Sequence, residues 1–204
     1  HGRSVAWGAQ RLGLKCKIFI SENVSESRAE AMRNLDAEVI RVKGNYDNSL
    51  KECIKKSKEN NWEIVQDVSW EGYKEVPKLI MAGYTIMIKE IIDKVDANLI
   101  THVFLQAGVG GMASAMIAGV AKLSKNIPKF IVVEPENADC VFKSIKNGRP
   151  TSVDIKKETV MGGMSCGDVS SIAWHILKNS AKYCVTISDE AISSAIALLA
   201  EGRL

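Results

Sequence analysis

An α/β protein with two open, mainly parallel sheets and helices on both faces is the fold class predicted for these 204 residues. Three observations predict it. Short β-branched runs alternate with stretches of helical periodicity along the chain, the pattern of strands joined by crossover helices. The run Thr101-His102-Val103-Phe104 has the composition of a buried strand. It leads through Leu105-Gln106-Ala107-Gly108-Val109-Gly110-Gly111-Met112-Ala113 into a small-residue helix, and in such sheets ligands bind at the carboxyl ends of strands.

The elements follow in order. Ser4 to Leu12 places Val5, Ala6, Ala9 and Leu12 on one helical face and stops at Gly13, before a strand over Cys16 to Ile20. Ser25 can cap a helix through Leu35, with Ala29, Met32 and Leu35 inward, and Glu38 to Val42 reads as the next strand. Asn45-Tyr46-Asp47 is a turn and cap for a helix whose Leu50, Cys53 and Ile54 face a core. Asn60-Asn61 breaks that helix, and Glu63 to Gln66 is expected as a strand that delivers Asp67. Residues 1–73 are therefore expected to form a smaller α/β lobe, with 74–204 in a second. A long helix between Tyr73 and Val95 has Pro77 in its first turn and Ile80, Tyr84, Met87, Ile88 and Ile91 along its inner stripe, and is expected to cross between the lobes. After the glycine turn and its helix to Leu123 come a strand from Lys129 to Glu134, a helix from Ala138 to Asn147 and a loop from Gly148 to about Gly167. A helix from Ile172 to Ser180, a strand from Cys184 to Ile187 and a helix capped by Asp189 complete the order.

Composition narrows the class of function. Apolar residues make up 46% and charged residues 25% of the chain, and no run approaches eighteen apolar positions, so neither disorder nor a membrane span is expected. A net charge of +3, with lysines spread along amphipathic segments such as Lys51 to Lys58, reads as solvated helix faces and not as a nucleic-acid patch. Cys16, Cys53, Cys140, Cys166 and Cys184 are an odd set without C-x-x-C or zinc spacing, which points to a reducing compartment, by default the cytoplasm, and to no metal constellation. The chain opens on His1 and closes after an apolar helical run, so it is expected to be an internal piece of something longer.

The glycine turn carries the strongest chemical signal. Glycines bring bare backbone N–H groups up to a ligand, and the start of the following helix adds unsatisfied donors and a partial positive charge. A phosphate cradle is one reading. Gly108-x-Gly110-x-x-Ala113 also fits a dinucleotide fingerprint, with Glu134 where a ribose-binding acid would lie, and a plain structural turn is a third. Asp67, at the end of its expected strand and followed by Trp70 and Tyr73, could be desolvated into a useful acid or base or could simply cap a turn. Gly162-Gly163-Met164-Ser165-Cys166-Gly167 is a second small-residue loop, able to lie beside a flat cofactor or to be a mobile connection. Cys166 has no basic neighbour and reads as packing. His102 within a strand and His175 within a helix read as structural.

Taken together, the opening His1-Gly2-Arg3-Ser4-Val5-Ala6-Trp7, Asn45-Tyr46-Asp47, VQDVSWEGY (65–73), LQAGVGGMA, VEPENADC (133–140) and MGGMSCGD (161–168) closely resemble the 2,3-diaminopropionate ammonia-lyases along essentially the whole chain. The glycine turn and the VEP strand are shared with the wider fold-type II pyridoxal-phosphate enzymes, including threonine dehydratase and cysteine synthase. The resemblance implies a pyridoxal-phosphate-dependent α,β-elimination that releases pyruvate and two ammonia from a diamino acid. It implies that Ala107, Gly108, Val109, Gly110, Gly111 and Met112 hold the cofactor phosphate, that Gly163 and Met164 flank its ring, that Asp67 is the candidate base for one enantiomer and that Tyr46 faces the substrate. It also implies a homodimer with only small-molecule partners, neither nucleic acid nor membrane. The family's covalent lysine, the aspartate-glycine-asparagine before the position of His1 and the serine-rich segment at the pyridine nitrogen have no counterpart in these residues, so this polypeptide alone is expected to be inactive. Cys140 and Cys166 both lie in loops after cofactor-side strands and could approach each other. Competing expectations are a serine or threonine dehydratase, a cysteine synthase-like enzyme and, more remotely, an NAD-binding oxidoreductase.

Overall fold

The computed structural model describes residues 1–202 as two compact units, His1–Gln66 and Asp67 onward. In the first, a helix α1 (Gly2–Arg11), strand β1 (Cys16–Ser21), helix α2 (Glu26–Arg33), strand β2 (Ala37–Val42) and helix α3 (Tyr46–Asn60) follow one another. β1 and β2 are parallel, in register from Cys16 opposite Ala37 to Ser21 opposite Val42. Ala6, Ala29, Met32, Ile20 and Ala37 form the core; alanines at the contact points let α1 and α2 lie close to the small sheet. Asn45 closes α3 with a capping box, its side chain accepting the Asn48 N–H while the Asn48 side chain accepts the Asn45 N–H. Asn61, in the left-handed region at φ 53°, ends it.

Three expectations fail in this unit. Leu12 is 74% exposed because α1 stops at Arg11, before its last apolar position can turn inward. Ser25 occupies the N-cap of α2 without capping it; its hydroxyl lies 3.2 Å from that of Ser27. Residues 63–66 form no strand, since β1 and β2 are the only members of their sheet among the described residues. The Val65 carbonyl instead meets the His1 ring at 2.8 Å.

The second unit begins at Asp67 rather than after Tyr73, because Ser69 is bonded to the start of a helix far along the chain. Helix α4 (Glu75–Ile92), strand β3 (His102–Gln106), helix α5 (Gly111–Leu123), strand β4 (Lys129–Pro135), helix α6 (Cys140–Asn147), helix α7 (Ser171–Ser180), strand β5 (Ala181–Ile187) and helix α8 (Asp189–Ala200) make it up. The sheet is parallel throughout in the order β3-β4-β5. Its central strand β4 buries Phe130, Ile131 and Val132, each of which stabilises the unit by roughly 1.5–3 kcal/mol. β3 is an edge strand: only Leu105 is buried, and Phe104 is 68% exposed, so the expectation of a fully buried strand there is not met.

Helix α4 lies within the second unit and packs on α5. Its buried positions are Pro77, Met81 and Ile88, whereas Met87 and Ile91 of the expected stripe turn outward. Gly119 sets this register: a Cβ there would stand 3.3 Å from the Ile88 Cβ, so the two helices meet at close range. Ser188, not Asp189, is the N-cap of α8. No helix among the described residues is long and apolar enough to cross a membrane.

Candidate active site

The glycine turn is built by continuing β3 one step past its end. The Ala107 N–H still donates to Val133 O at 3.0 Å, after which the chain turns away through Gly108 and Val109. At Gly110 the backbone has φ +87°, in the left-handed region, and a Cβ would lie 2.6 Å from Leu177 Cδ1 and 3.3 Å from Ala173 Cβ. Gly108 is equally confined, since a Cβ there would meet Met164 Cα at 3.1 Å, Cys166 Sγ at 3.2 Å and Gly163 O at 3.3 Å. Gly110 is the N-cap of α5, and the first bond of that helix runs from Ser114 N–H to Gly110 O at 2.9 Å. The N–H groups of Gly111, Met112 and Ala113 therefore precede the intrahelical ladder, and no side chain caps them. Donors of that kind at a positive helix end, on a backbone stripped of side chains, suit a phosphate dianion.

The structure brings two other expected site segments to this turn. A Cβ on Gly111 would come within 3.7 Å of the Asp67 carbonyl, so the Asp67 backbone lies beside the start of α5. Asp67 sits in a bend, not at a strand end. Burial holds its carboxyl above the ordinary aspartate pKa. Tyr84 on α4 feels it: burial first, and then the Asp67 charge, push the Tyr84 hydroxyl upward. After Asp67, Trp70 and Tyr73 stack at 4.3 Å across a turn closed by two backbone bonds around Gly72.

Gly163 and Met164 belong to a short 3-10 turn, Gly162–Met164, whose backbone packs against Gly108. The loop that carries them is anchored from outside: Asp189 at the start of α8 accepts from the Thr159 hydroxyl and, at 3.3 Å, from the Val160 N–H, and Glu158 accepts from Ser165. Tyr46 belongs to the other unit, at the first position of α3, where its hydroxyl accepts from Gln66 Nε2 at 3.1 Å. Cys140 and Cys166 both approach Gly108, the Cys140 thiol donating to its carbonyl at 3.4 Å, and neither is in a disulfide. His102 and His175 are exposed and bond locally, to Thr101 Oγ1 and Ser171 O. Among the described residues no group of His, Cys, Asp and Glu could hold a metal ion.

Glu134 settles the dinucleotide alternative. It is fully buried, and its two carboxyl oxygens accept the Val141 and Phe142 N–H groups at 2.9 and 2.6 Å, so it caps α6 and cannot reach a ribose. Burial pushes its pKa to about 7, against the opposing pull of those two N–H groups. Sequence reasoning missed Ser69, Ser170 and Tyr84 around the site. Ser170-Ser171 ahead of a helix was a visible capping signal; the remote serine it bonds to was not.

A family model for pyridoxal-phosphate dependent enzymes matches residues 1–204. Diaminopropionate ammonia-lyase of Escherichia coli strain K12 is 35% identical over 202 residues, which cover 98% of this chain and 51% of the relative. A crystal structure of the Escherichia coli lyase in complex with an aminoacrylate-PLP azomethine reaction intermediate is 36% identical, with a TM-score of 0.84 over 92% of this chain and 48% of that one. A biosynthetic L-threonine dehydratase of Haemophilus influenzae is 31% identical over 156 residues, or 75% of this chain and 28% of the relative. The chain spans about half the length of the curated ammonia-lyases it matches.

Proposed function

Because the chain belongs to the pyridoxal-phosphate dependent enzyme family, we propose that it supplies the phosphate-holding part of a lyase converting 2,3-diaminopropionate to pyruvate and two ammonia by α,β-elimination. The observation that carries the reading is the Asp67 backbone lying beside a turn in which Gly110 has no room for a side chain and Gly108 little, with the Asp67 carboxyl itself desolvated. The residues fit pyridoxal phosphate on that ground. Ala107 to Met112 would hold its phosphate through main-chain N–H groups, and Gly163 and Met164 would flank its ring.

The cofactor, when bound, supplies a sink for the negative charge left at the substrate α-carbon. Asp67 takes the α-proton of one enantiomer at a carboxylate oxygen. Its raised pKa makes it the stronger base once ionised and sets the acid limb of the pH profile above the ordinary aspartate range; a positioned general base is worth roughly 10²- to 10⁴-fold in rate. Tyr46 is assigned to the substrate side on its motif. On the family resemblance, the covalent lysine would come from sequence outside these 204 residues. The full-length protein acts as a cytoplasmic homodimer on small amino acids, without nucleic-acid or membrane partners.

The test uses the full-length protein loaded with pyridoxal phosphate and offered D- and L-2,3-diaminopropionate. Two ammonia per pyruvate, with one enantiomer's turnover lost in Asp67→Asn, is the expected result. Turnover of serine or threonine with one ammonia, and none of diaminopropionate, would move the function to a dehydratase; a β-substituted amino acid as product would move it to a synthase.

A further inference from the structure

Ser69 lies two residues after Asp67 and is 4% exposed. It faces α7, whose own N-cap, Ser170, makes no side-chain bond to its helix. The two serines have exchanged roles. The Ser69 N–H donates to Ser170 Oγ at 3.0 Å, while Ser69 Oγ accepts the Ile172 N–H at 2.9 Å, the bond a capping residue would ordinarily make itself. Their hydroxyl oxygens lie 2.6 Å apart, the Ser171 hydroxyl is 3.0 Å from that of Ser69, and the Ser171 N–H donates to Ser69 O at 3.2 Å. From the other side of the junction the Ser170 N–H donates to Val109 O at 2.9 Å, inside the glycine turn, and Ala173 and Leu177 of the same helix press on Gly110. Helix α7 is thus bonded at one end both to the segment that carries Asp67 and to the anion cradle.

We infer that Ser69 is a positioning residue: by completing the cap of α7 from a distant segment, it fixes Asp67 at a set distance from the glycine turn. The inference rests on the proposed function. A helix capped by its own Ser170 would leave the Asp67 segment joined to α7 only by the backbone bond from Ser171 N–H to Ser69 O, and it is the exchange that makes one hydroxyl serve two parts of the site. Placement errors of about an ångström at reacting groups cost on the order of a hundredfold in rate, which is the scale at which such an attachment matters.

The test compares Ser69→Ala, Ser170→Ala and the double variant of the full-length protein with the unsubstituted one. Its readouts are the dissociation constant for pyridoxal phosphate alone, the phosphorus NMR shift of the bound cofactor, the pH profile of kcat/KM on diaminopropionate and the thermal midpoint. Each single variant is expected to lower kcat by roughly ten- to a hundredfold with little change in KM, to move the acid limb of the profile, to shift the phosphorus signal and to weaken cofactor binding about fivefold. The double variant should be no worse than the poorer single, since both remove one junction. A lower thermal midpoint with cofactor affinity, phosphorus shift and acid limb unchanged overturns the inference and leaves the proposed function standing. So do effects of the two serines that simply add. If Ser69→Ala fails to fold, Ser69→Cys, which keeps the volume and weakens the acceptor, is measured in its place. A full-length protein that binds the cofactor but does not cleave diaminopropionate overturns the proposed reaction alone, and cofactor affinity and phosphorus shift then decide whether Ser69 sets the cradle.

Discussion

The two glycine-rich loops of the second unit look alike in sequence and differ in kind. In the turn from Gly108 to Gly111 two glycines are measured against a neighbour: Gly110 is held at φ +87° with Leu177 and Ala173 where its side chain would be, and Gly108 is closed in by Met164 and Cys166. In the loop from Gly162 to Gly167, a Cβ on Gly163 would meet nothing within 4 Å. In the first loop the fold leaves no room for a side chain at Gly110 and little at Gly108. The second, at Gly163, is open, which leaves that side free for a ligand's requirements. A run of glycines therefore marks two different things, a backbone jammed into its own core and a backbone kept bare toward the outside.

The comparison can be broken at its strongest point with Gly110→Ala in the full-length protein. The added methyl is opposed both by the left-handed backbone and by a fully buried leucine, so denaturant unfolding should report a loss of about 2–4 kcal/mol. A smaller effect comes from pH. The Glu134 carboxyl, ordinarily titrating at 4.5, is held near 7 in the folded chain by burial. The folded state thus keeps a proton that the unfolded chain gives up, so the contribution is complete below about 4.5 and is lost as pH rises through about 7, on the order of 1–3 kcal/mol. Because Glu134 caps α6, whose first residue Cys140 bonds Gly108 O, the loosening should reach the first loop; unfolding curves at pH 5.5 and 8, flattened by Glu134→Gln, would show it. Smallest of all, Gly163→Ala should change stability by less than about 0.5 kcal/mol while weakening cofactor binding. A large destabilisation there would erase the distinction between the loops.

Much of the fold was legible because its signals are local. Alternating runs placed β1, β2, β4 and β5, and Asn45 announced the start of α3 through a cap that needs only its neighbour three residues on. What failed was what depends on partners elsewhere. Ile64-Val65 has strand composition, but residues 63–66 found no neighbouring strand; a strand needs an adjacent ladder, and composition cannot say whether one exists. The inner stripe of α4 was only partly placed: Ile88, which faces Gly119 of another helix, is buried as expected, whereas Met87 and Ile91 are not. The glycine turn stood out in the sequence, but its spacing left a phosphate cradle, a dinucleotide fingerprint and a plain turn all open. The means by which Asp67 is attached beside it was not legible, since the serines that do it are far apart in sequence.

That separation has a kinetic consequence. Ser69 and Ser170 stand 101 residues apart, and closing a loop of that length costs about 4 kcal/mol of chain entropy more than joining neighbours. Hydrogen bonds worth about 1 kcal/mol each meet that cost only when several form together, so the junction is completed once the sheet and α7 have drawn its ends together. In refolding, the glycine turn should thus acquire its working shape last, and a nascent chain that has already built β3 and α5 must wait for α7 to be synthesised before the anion cradle is secured.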